Sequence, residues 1–225
     1  MSLLDAVGSI GLPARCASCY AWGRAPLCPA CEACVRWIGA DACAKCGKPE
    51  AAPVDRCTDC RGRSLAFDLA RAAAAYEGPA REAVKAFKLG GERRTARALA
   101  RWMVPAALAL GAARCVTWVP STRRSDAARG FTPAEELARP LARALGRPAA
   151  RLLAKTRETR DQAELTRAER RANQRDAFSA RTRPPERVLL VDDIMTTGAT
   201  ADACAAALKA AGARRVLVVT FARAP

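Results

Sequence analysis

Apolar positions in residues 65–225 fall into short continuous runs, separated by longer segments that are apolar on one helical face. The short runs predict buried β-strands over residues 66–76, 115–119, 149–153, 187–191 and 214–221. The amphipathic segments predict helices over residues 80–88, 95–110, 133–145 and 199–211, the last ending before Gly212. Strands that alternate with helices predict an α/β fold, with a mostly parallel sheet and flanking helices.

Residues 1–64 follow a different pattern, in which cysteines and turns with Gly and Pro replace the apolar runs. The helix predicted there is short and covers residues 32–38. So few apolar residues make a weak core, and a bound metal would supply the missing free energy, on the order of 10 kcal/mol per structural site. We therefore expect two domains, a small zinc-ribbon module over residues 1–64 and an α/β domain over residues 65–225.

Composition excludes several classes of protein. The chain has 225 residues, and its 51% hydrophobic content is too high for a disordered chain. The 14 glycines and 14 prolines are ordinary numbers, which exclude a collagen-like or low-complexity chain. The sequence contains no histidine. This excludes Ser-His and Cys-His nucleophiles, a histidine general base and histidine metal ligands within the chain.

The formal net charge is +16, and most of the excess lies in the second domain. Residues 1–64 contain 8 basic and 6 acidic residues, out of 38 and 22 in the whole chain. A basic domain suits an anionic partner such as a phosphate ligand, a nucleic acid or an acidic protein. The alternative is genomic base composition, because only 6 of the 38 basic residues are lysine.

Nine of the eleven cysteines lie within the first 60 residues, and four CxxC pairs can be drawn among them. This is the spacing of knuckles whose two thiolates face one metal ion, so two structural zinc ions are predicted. The simplest grouping is sequential, with Cys16, Cys19, Cys28 and Cys31 in one site and Cys43, Cys46, Cys57 and Cys60 in the other. Interleaved grouping, disulfide bonds and an iron–sulfur or redox role are the alternatives.

The remaining cysteines are expected to be structural. Cys34 falls inside the predicted short helix, where a small apolar residue would pack, and it is the expected spare cysteine. The rival choice pairs Cys31 with Cys34 and leaves Cys28 free. Cys115 and Cys204 lie in apolar surroundings and are predicted core residues.

The sequence lacks signals for export or membrane insertion. Residues 1–13 have neither a basic start nor a long apolar stretch. The best apolar candidate, residues 102–113, is shorter than the roughly 18 residues of a membrane span and contains Pro105. We therefore expect a soluble, cytoplasmic protein.

The most informative motif is residues 188–200, in which an apolar run is followed by two aspartates and a polar loop. The run predicts a central strand that delivers Asp192 and Asp193 to the sheet edge where open α/β sheets bind ligands. The loop consists of Thr196, Thr197, Gly198, Ala199 and Thr200. Its N–H groups and the following helix suit a phosphate, whereas the carboxylates suit sugar hydroxyls or a divalent cation. An apolar strand that ends in two aspartates could also be a Walker B element, but this is excluded because the chain has no GxxxxGK[ST] segment.

These thirteen residues resemble, at every position, the phosphoribosyl pyrophosphate (PRPP) signature of type I phosphoribosyltransferases. Other segments, and the leading pair of CxxC-rich ribbons, resemble the ComF family. The segments are Tyr76-Glu77-Gly78, Lys85-Ala86-Phe87-Lys88, Val119-Pro120, Arg129-Gly130-Phe131, and Lys155-Thr156-Arg157 with Gln162, Leu165, Arg170 and Asn173. The resemblance covers about residues 14–222. It departs from the family pattern where Thr132-Pro133 replaces an Asn-Gln pair, although Thr132 still suits a helix N-cap.

The resemblance implies roles for the site residues. Asp192 and Asp193 would bind the ribose hydroxyls, the loop 196–200 would bind the 5-phosphate, and Mg²⁺ would bridge ribose and pyrophosphate. Residues 119–124 follow a strand and are candidates for the pyrophosphate loop through Arg123 and Arg124, the alternative being a solvated turn.

Two further segments lie beside the predicted site. Residues 155–173 would form a mobile hood that excludes water, or else an exposed charged helix. Lys85 and Lys88 share one helix face and either reach the site or remain on the surface.

Three functions are compatible with the sequence. The first is a phosphoribosyltransferase acting on an unidentified acceptor, with Mg²⁺ and PRPP. The second, implied by the ComF resemblance, is an accessory protein of natural competence that assists uptake of single-stranded DNA with a helicase partner. The third is a sensor that binds PRPP without turnover. The 5% aromatic content is low for extensive base stacking.

Overall fold

The computed structural model describes residues 15–23, 26–90, 93–156 and 177–224, with the backbone alone at residues 90, 93, 94, 123 and 124. Its strands are β1 (Leu69–Ala75), β2 (Cys115–Trp118), β3 (Leu153–Lys155), β4 (Phe178–Ala180), β5 (Arg187–Met195) and β6 (Arg215–Arg223). Its helices are α1 (Pro29–Ala33), α2 (Gly78–Gly90), α3 (Arg93–Ala109), α4 (Arg123–Arg129), α5 (Pro133–Ala144) and α6 (Ala199–Ala210). No helix of the described residues has both the length and the apolar character needed to cross a membrane.

A four-stranded parallel sheet with the order β1-β6-β5-β2 forms the centre of the α/β part. The two central strands, β5 and β6, each contain a continuous buried apolar run, over residues 188–191 and 216–219, as expected for strands covered on both faces. Helices flank this sheet, so the predicted fold class, a mostly parallel α/β sheet, is confirmed.

The two faces of the sheet carry different elements. The connection from β1 to β2 crosses the sheet in one direction, and the connection from β5 to β6 returns in the other. Since such connections are right-handed, they lie on opposite faces. Helices α3 and α5 pack on one face, and α6 packs on the other with the antiparallel β3–β4 hairpin.

The cysteine-rich part covers the free edge of β1. Backbone N–H groups of Ala70 and Ala75 donate to the carbonyls of Lys45 and Arg36, and Ile38 N–H donates to Ala73, each at 2.9 Å. Gly47 allows this close approach, because a Cβ there would lie 2.9 Å from the Ala70 carbonyl oxygen. Extended contact with a strand edge therefore joins the two predicted domains.

Two predicted elements are wrong in position. The short helix predicted over residues 32–38 lies instead at Pro29–Ala33, as α1. It begins earlier because proline suits the first turn of a helix, and it ends earlier because Trp37 pairs with Ala74 in β1. The strand predicted over residues 149–153 is a single bridge between Ala149 and Val116, followed by β3. In both cases pairing with a distant strand overrides the local pattern.

Candidate functional site

The two adjacent aspartates lie in the last part of β5 and point to opposite faces of the sheet, as strand geometry requires. Asp193 is 8% exposed, and its Oδ2 atom forms an ion pair with Lys88 Nζ of α2 at 2.8 Å. Its Oδ1 atom accepts a hydrogen bond from Ile194 N–H at 2.7 Å. Asp193 is therefore buried and paired without a ligand, because α2 brings a lysine over the end of the strand.

Asp192 is half-buried on the α6 side. Burial, and then the negative charge of Asp193, raise the pKa of Asp192 well above its ordinary value. A hydrogen bond from Asp193 N–H to Asp192 Oδ1, at 2.9 Å, opposes this shift without cancelling it. Asp193 is therefore matched by a lysine, whereas Asp192 holds its proton more tightly than an ordinary carboxyl does. A bound cation or hydroxyl donor would favour the ionised form of Asp192.

The loop after β5 turns sharply at Gly198, which has φ of +74° and caps the N-terminus of α6. Thr196 and Thr197 are exposed, whereas Gly198 is buried. The Thr197 hydroxyl accepts a hydrogen bond from Ala199 N–H at 3.3 Å. The loop thus presents short hydroxyl side chains to solvent at a helix N-terminus, where the dipole favours an anion.

Two arginines hold the back of this loop. Arg223 Nη1 at the end of β6 donates to the carbonyls of Met195, at 3.2 Å, and of Thr196. Arg63 Nη1 donates to the carbonyl of Thr197 at 3.2 Å. Because the C=O and the next N–H of a trans peptide point in opposite directions, the following N–H groups face away from the arginines. The arrangement aims backbone donors at the exposed side of the loop.

Sequence reasoning missed Arg63 and Arg223 and left the position of Lys88 open. Arg223 ends β6, whose residues 216–222 are apolar apart from Thr220, and a charge at the end of such a buried run was the available signal. Arg63 lies just after the last cysteine pair, and nothing local indicates its contact with Thr197. Lys85, the other candidate on α2, pairs with Glu82 at 3.1 Å and not with an aspartate of the site.

The region predicted as a pyrophosphate loop is partly helical. Helix α4 begins at Arg123, with Thr122 as its N-cap accepting from Ser125 N–H at 3.0 Å. Arg123 and Arg124 thus lie in the first turn of a helix, because Thr122 caps the chain directly after β2. Thr132 occupies the predicted N-cap position of α5. Its hydroxyl, however, donates a hydrogen bond to Asp126 Oδ2 at 2.8 Å and accepts none from the backbone of that helix.

The predicted hood lies mostly outside the described residues. Arg157, Gln162, Leu165, Arg170 and Asn173 belong to that part of the chain. The described residues on either side form the β3–β4 hairpin, in which Lys155 pairs with Phe178. This hairpin packs against α6, on the same face as Asp192.

The eight predicted ligand cysteines gather into two groups, each with its sulfur atoms within 4.8 Å of one another. The first cysteine centre is Cys16, Cys19, Cys28 and Cys31, and the second cysteine centre is Cys43, Cys46, Cys57 and Cys60. Sulfur pairs lie 3.7 Å apart in the first centre and 3.6 Å apart in the second. A tetrahedral zinc ion with Zn–S bonds near 2.3 Å requires about 3.8 Å between sulfurs. Both centres therefore fit zinc.

Backbone donors prepare one thiol of each centre to be a thiolate. Burial alone would raise the pKa of Cys16, but N–H groups of Cys19, Cys28 and Ser18 bring it down to about 6. Likewise, N–H groups of Cys46, Cys57 and Lys45 outweigh burial and lower the pKa of Cys43 to about 7. Partial burial and the Cys19 thiol raise the pKa of Cys31 to about 12. A metal ion must displace that proton, so metal binding at these centres depends on pH.

The other cysteines lie apart from these centres. Cys34 is exposed at the C-cap of α1, so the expected packing of this residue is wrong, since the helix ends before it. Cys115 and Cys204 are buried, as predicted.

Comparison with known proteins shows a similarity in the C-terminal part of the chain. Residues 127–225 match the family model described as the phosphoribosyl transferase domain, and this range contains the aspartates and the loop. No curated protein matches the chain.

Two solved structures are similar to part of the chain. One is glutamine phosphoribosylpyrophosphate (PRPP) amidotransferase from B. subtilis complexed with ADP and GMP, at 26% identity and a TM-score of 0.38. Another is described as the allosteric regulatory enzyme of purine biosynthesis, at 29% identity and a TM-score of 0.37. Each of the two similarities covers 56% of this chain and 25% of the chain in the solved structure.

Proposed function

We propose that this protein binds PRPP with Mg²⁺ and transfers its phosphoribosyl group to an acceptor. The observation that carries the proposal is the loop 196–200. Arg223 and Arg63 hold the carbonyls of Thr196 and Thr197, whose side chains are exposed. The loop lies beside Asp192 and Asp193 at the carboxyl edge of the sheet. This region lies within the match to the phosphoribosyl transferase domain.

The chain's own residues would divide the work of binding. Loop N–H groups and the threonine hydroxyls hold the 5-phosphate, and the buried Arg223 guanidinium behind them adds positive charge. Asp192 and Asp193 accept hydrogen bonds from the ribose hydroxyls, and the ion pair with Lys88 holds the Asp193 carboxylate in place. Mg²⁺, when bound, would neutralise negative charge on the pyrophosphate group.

The transfer itself needs little from a protein base. The acceptor's lone pair forms a bond to the anomeric carbon, while the bond to the pyrophosphate oxygen breaks and pyrophosphate leaves with the electron pair. The acceptor's proton passes to solvent or to the leaving group. Rate enhancement then comes from positioning and charge stabilisation, which suits a chain without histidine.

The two cysteine centres support a more specific assignment, a ComF-type protein with two structural zinc ions. Each centre has the ligand set and sulfur spacing that zinc requires. Free thiolate ligands persist in a reducing compartment, so we place the protein in the cytoplasm.

Isothermal titration of the full chain with PRPP tests the proposal. We expect binding that requires Mg²⁺ and disappears when EDTA removes it. A pyrophosphate-release screen across nucleobases and amines then tests transfer. Absence of binding in the presence of Mg²⁺ would overturn the whole proposal, whereas binding without release for any acceptor would leave a sensor.

Binding of single-stranded DNA is a second candidate function. Exposed aromatic residues beside the first cysteine centre favour it. Tyr20 and Trp22 beside that centre are 68% and 57% exposed, and the Arg15 guanidinium lies 3.8 Å from the Trp22 ring centroid. Exposed aromatic rings next to arginine are the usual platform for unpaired bases. The basic C-terminal part would add contacts to the phosphates.

Fluorescence anisotropy with a labelled oligonucleotide tests this candidate. We expect weak binding without sequence preference, with log affinity falling linearly with log salt. Trp22→Ala should weaken it, whereas Leu108→Ala, at an exposed apolar residue on α3, should not. No binding at low salt, or equal effects of the two variants, would refute it.

A further inference from the structure

Arg223 joins the phosphate loop to the second cysteine centre. This arginine is 2% exposed, and its Nη1 atom donates to the carbonyls of Met195 and Thr196. Its other terminal nitrogen, Nη2, donates to the sulfur of Cys46 at 3.8 Å. One rigid, planar side chain therefore contacts both a predicted zinc ligand and the backbone that would hold the phosphate.

Two further contacts make the same connection. Arg63, three residues after Cys60, donates to the Thr197 carbonyl at 3.2 Å and to the Asp59 carbonyl at 3.2 Å. Asp202 in the first turn of α6 accepts from Ala66 N–H at 2.5 Å. The loop and the helix behind it thus depend on the chain between the second cysteine centre and β1.

A metal-loaded centre would place negative charge beside the buried Arg223 guanidinium. A buried guanidinium is costly unless a negative group compensates it, and its carbonyl acceptors are neutral. Four thiolates around one zinc ion carry a formal double negative charge, which the Cys46 contact places beside Arg223. Loss of metal should therefore loosen Arg223, and with it the carbonyls of the loop.

We propose that metal binding at the second cysteine centre and PRPP binding at the loop 196–200 are thermodynamically coupled through Arg223. This inference rests on the proposed function. Zinc at the second centre orders the loop for the 5-phosphate, and the bound ligand in turn slows zinc release. Such coupling is reciprocal. It need not involve the first cysteine centre, near which Glu32 of α1 accepts a hydrogen bond from Trp102 Nε1 of α3 at 2.9 Å.

Variants of single cysteines test the metal side of the coupling. Cys57→Ser removes a ligand from the second centre without touching Arg223, and Cys28→Ser is its matched control in the first centre. PRPP affinity, measured by titration with Mg²⁺, should fall about tenfold or more in Cys57→Ser and stay near the parent in Cys28→Ser. Zinc content, determined for each variant, confirms which centre was emptied.

Variants of Arg223 test the connection itself. Arg223→Lys keeps the charge but cannot reach both Cys46 and the loop, so it should retain two zinc ions while losing about tenfold in PRPP affinity. Saturating PRPP should slow chelator-driven release of one of the two zinc ions at least about fivefold in the parent and not in Arg223→Lys. Arg71→Met is the control, because Arg71 bonds Ala44 and Ala70 without contacting the loop, and it should leave affinity and protection unchanged.

Hydrogen exchange separates failure of the coupling from failure of the proposed function. Amides of residues 195–200 should exchange faster in Cys57→Ser than in the parent without any ligand, while those of β2 should not change. If the parent does not bind PRPP, the proposed function is wrong, and loop exchange alone decides the structural coupling. Equal loop exchange in the two proteins, or equal PRPP affinity of the parent and Arg223→Lys, would overturn the inference.

Discussion

At the scale of single residues, Asp193 has two roles, as ion-pair partner of Lys88 and as proposed acceptor for a ribose hydroxyl. Asp193→Asn should reduce PRPP–Mg²⁺ affinity by roughly 1.5–3 kcal/mol, about tenfold to a hundredfold. It should cost little stability, because Lys88 is 34% exposed and can be hydrated again. Titration calorimetry and thermal unfolding measure the two effects.

Glu186→Gln is the matched control for this change. Glu186 is an exposed carboxylate that pairs with Arg214 at the opposite edge of the sheet. It should leave PRPP affinity at the parent value. If Asp193→Asn bound PRPP as tightly as Glu186→Gln, the carboxylates would not form the ribose site.

Asp192 makes the stability of the ligand-free protein depend on pH. Its pKa is raised in the folded state by burial and by Asp193, so the folded protein holds the proton more tightly than the unfolded chain does. Its contribution is therefore favourable below the ordinary pKa and is lost as pH rises through the folded pKa. Asp192→Asn should unfold a few degrees above the parent at pH 8, with the difference shrinking toward pH 5. A difference that grew on acidification would contradict this assignment.

At the scale of elements, Gly198 sets the turn from β5 into α6. A Cβ at this position would lie 3.7 Å from Met195 Sδ and from the Phe67 ring, which is ordinary contact. The penalty for Gly198→Ala is therefore the positive φ, about 1–2 kcal/mol. Because the loop must shift to relieve it, PRPP affinity should fall as well, which thermal unfolding and titration would show.

Gly146→Ala provides the same backbone penalty away from the site. Its φ is +62°, and a Cβ there would meet nothing within 4 Å. We expect a similar loss of stability with unchanged PRPP affinity. Equal affinities for the two alanine variants would mean that the ligand does not need the geometry at Gly198.

The elements that the sequence predicted well are those specified by local pattern. The apolar run of β5 and the CxxC spacing of the cysteine centres are readable because strand burial and metal knuckles are both set within a few residues. The continuation of β5 through Asp192 to Met195 was not predicted, because carboxylates interrupt the apolar pattern while β6 continues the backbone pairing. The β3–β4 hairpin joins residues more than twenty positions apart, which local periodicity does not encode.

The contacts of the candidate site likewise could not be predicted from local sequence pattern. Lys88 reaches Asp193 because α2 lies over the strand end, and Arg223 reaches Cys46 because the cysteine-rich part packs on the β1 edge. Both contacts join residues more than one hundred positions apart. The aspartates and the loop were recognisable as a motif, whereas their partners depend on how separate elements pack.

At the scale of the whole molecule, metal content should follow the grouping of the cysteines. We expect two zinc ions per chain by elemental analysis, two in Cys34→Ser and one in Cys28→Ser. The reason is that Cys34 is exposed beyond the end of α1, whereas Cys28 lies within the first centre. A full equivalent lost from Cys34→Ser would show that Cys34 is a ligand.

Metal binding would also protect an edge of the central sheet. The chain around the second cysteine centre covers the backbone of β1, through the bond from Ala70 N–H to the Lys45 carbonyl and the close approach at Gly47. Without metal this short segment has little apolar core of its own, so it should detach and leave a buried, alanine-rich strand edge unpaired. Chelation should therefore cause association that increases with protein concentration, detected by light scattering, together with faster hydrogen exchange at Ala70. Restoring zinc promptly should reverse both effects. A metal-free protein that stays monomeric, with Ala70 still protected, would show that β1 does not need the cysteine-rich part to cover its edge.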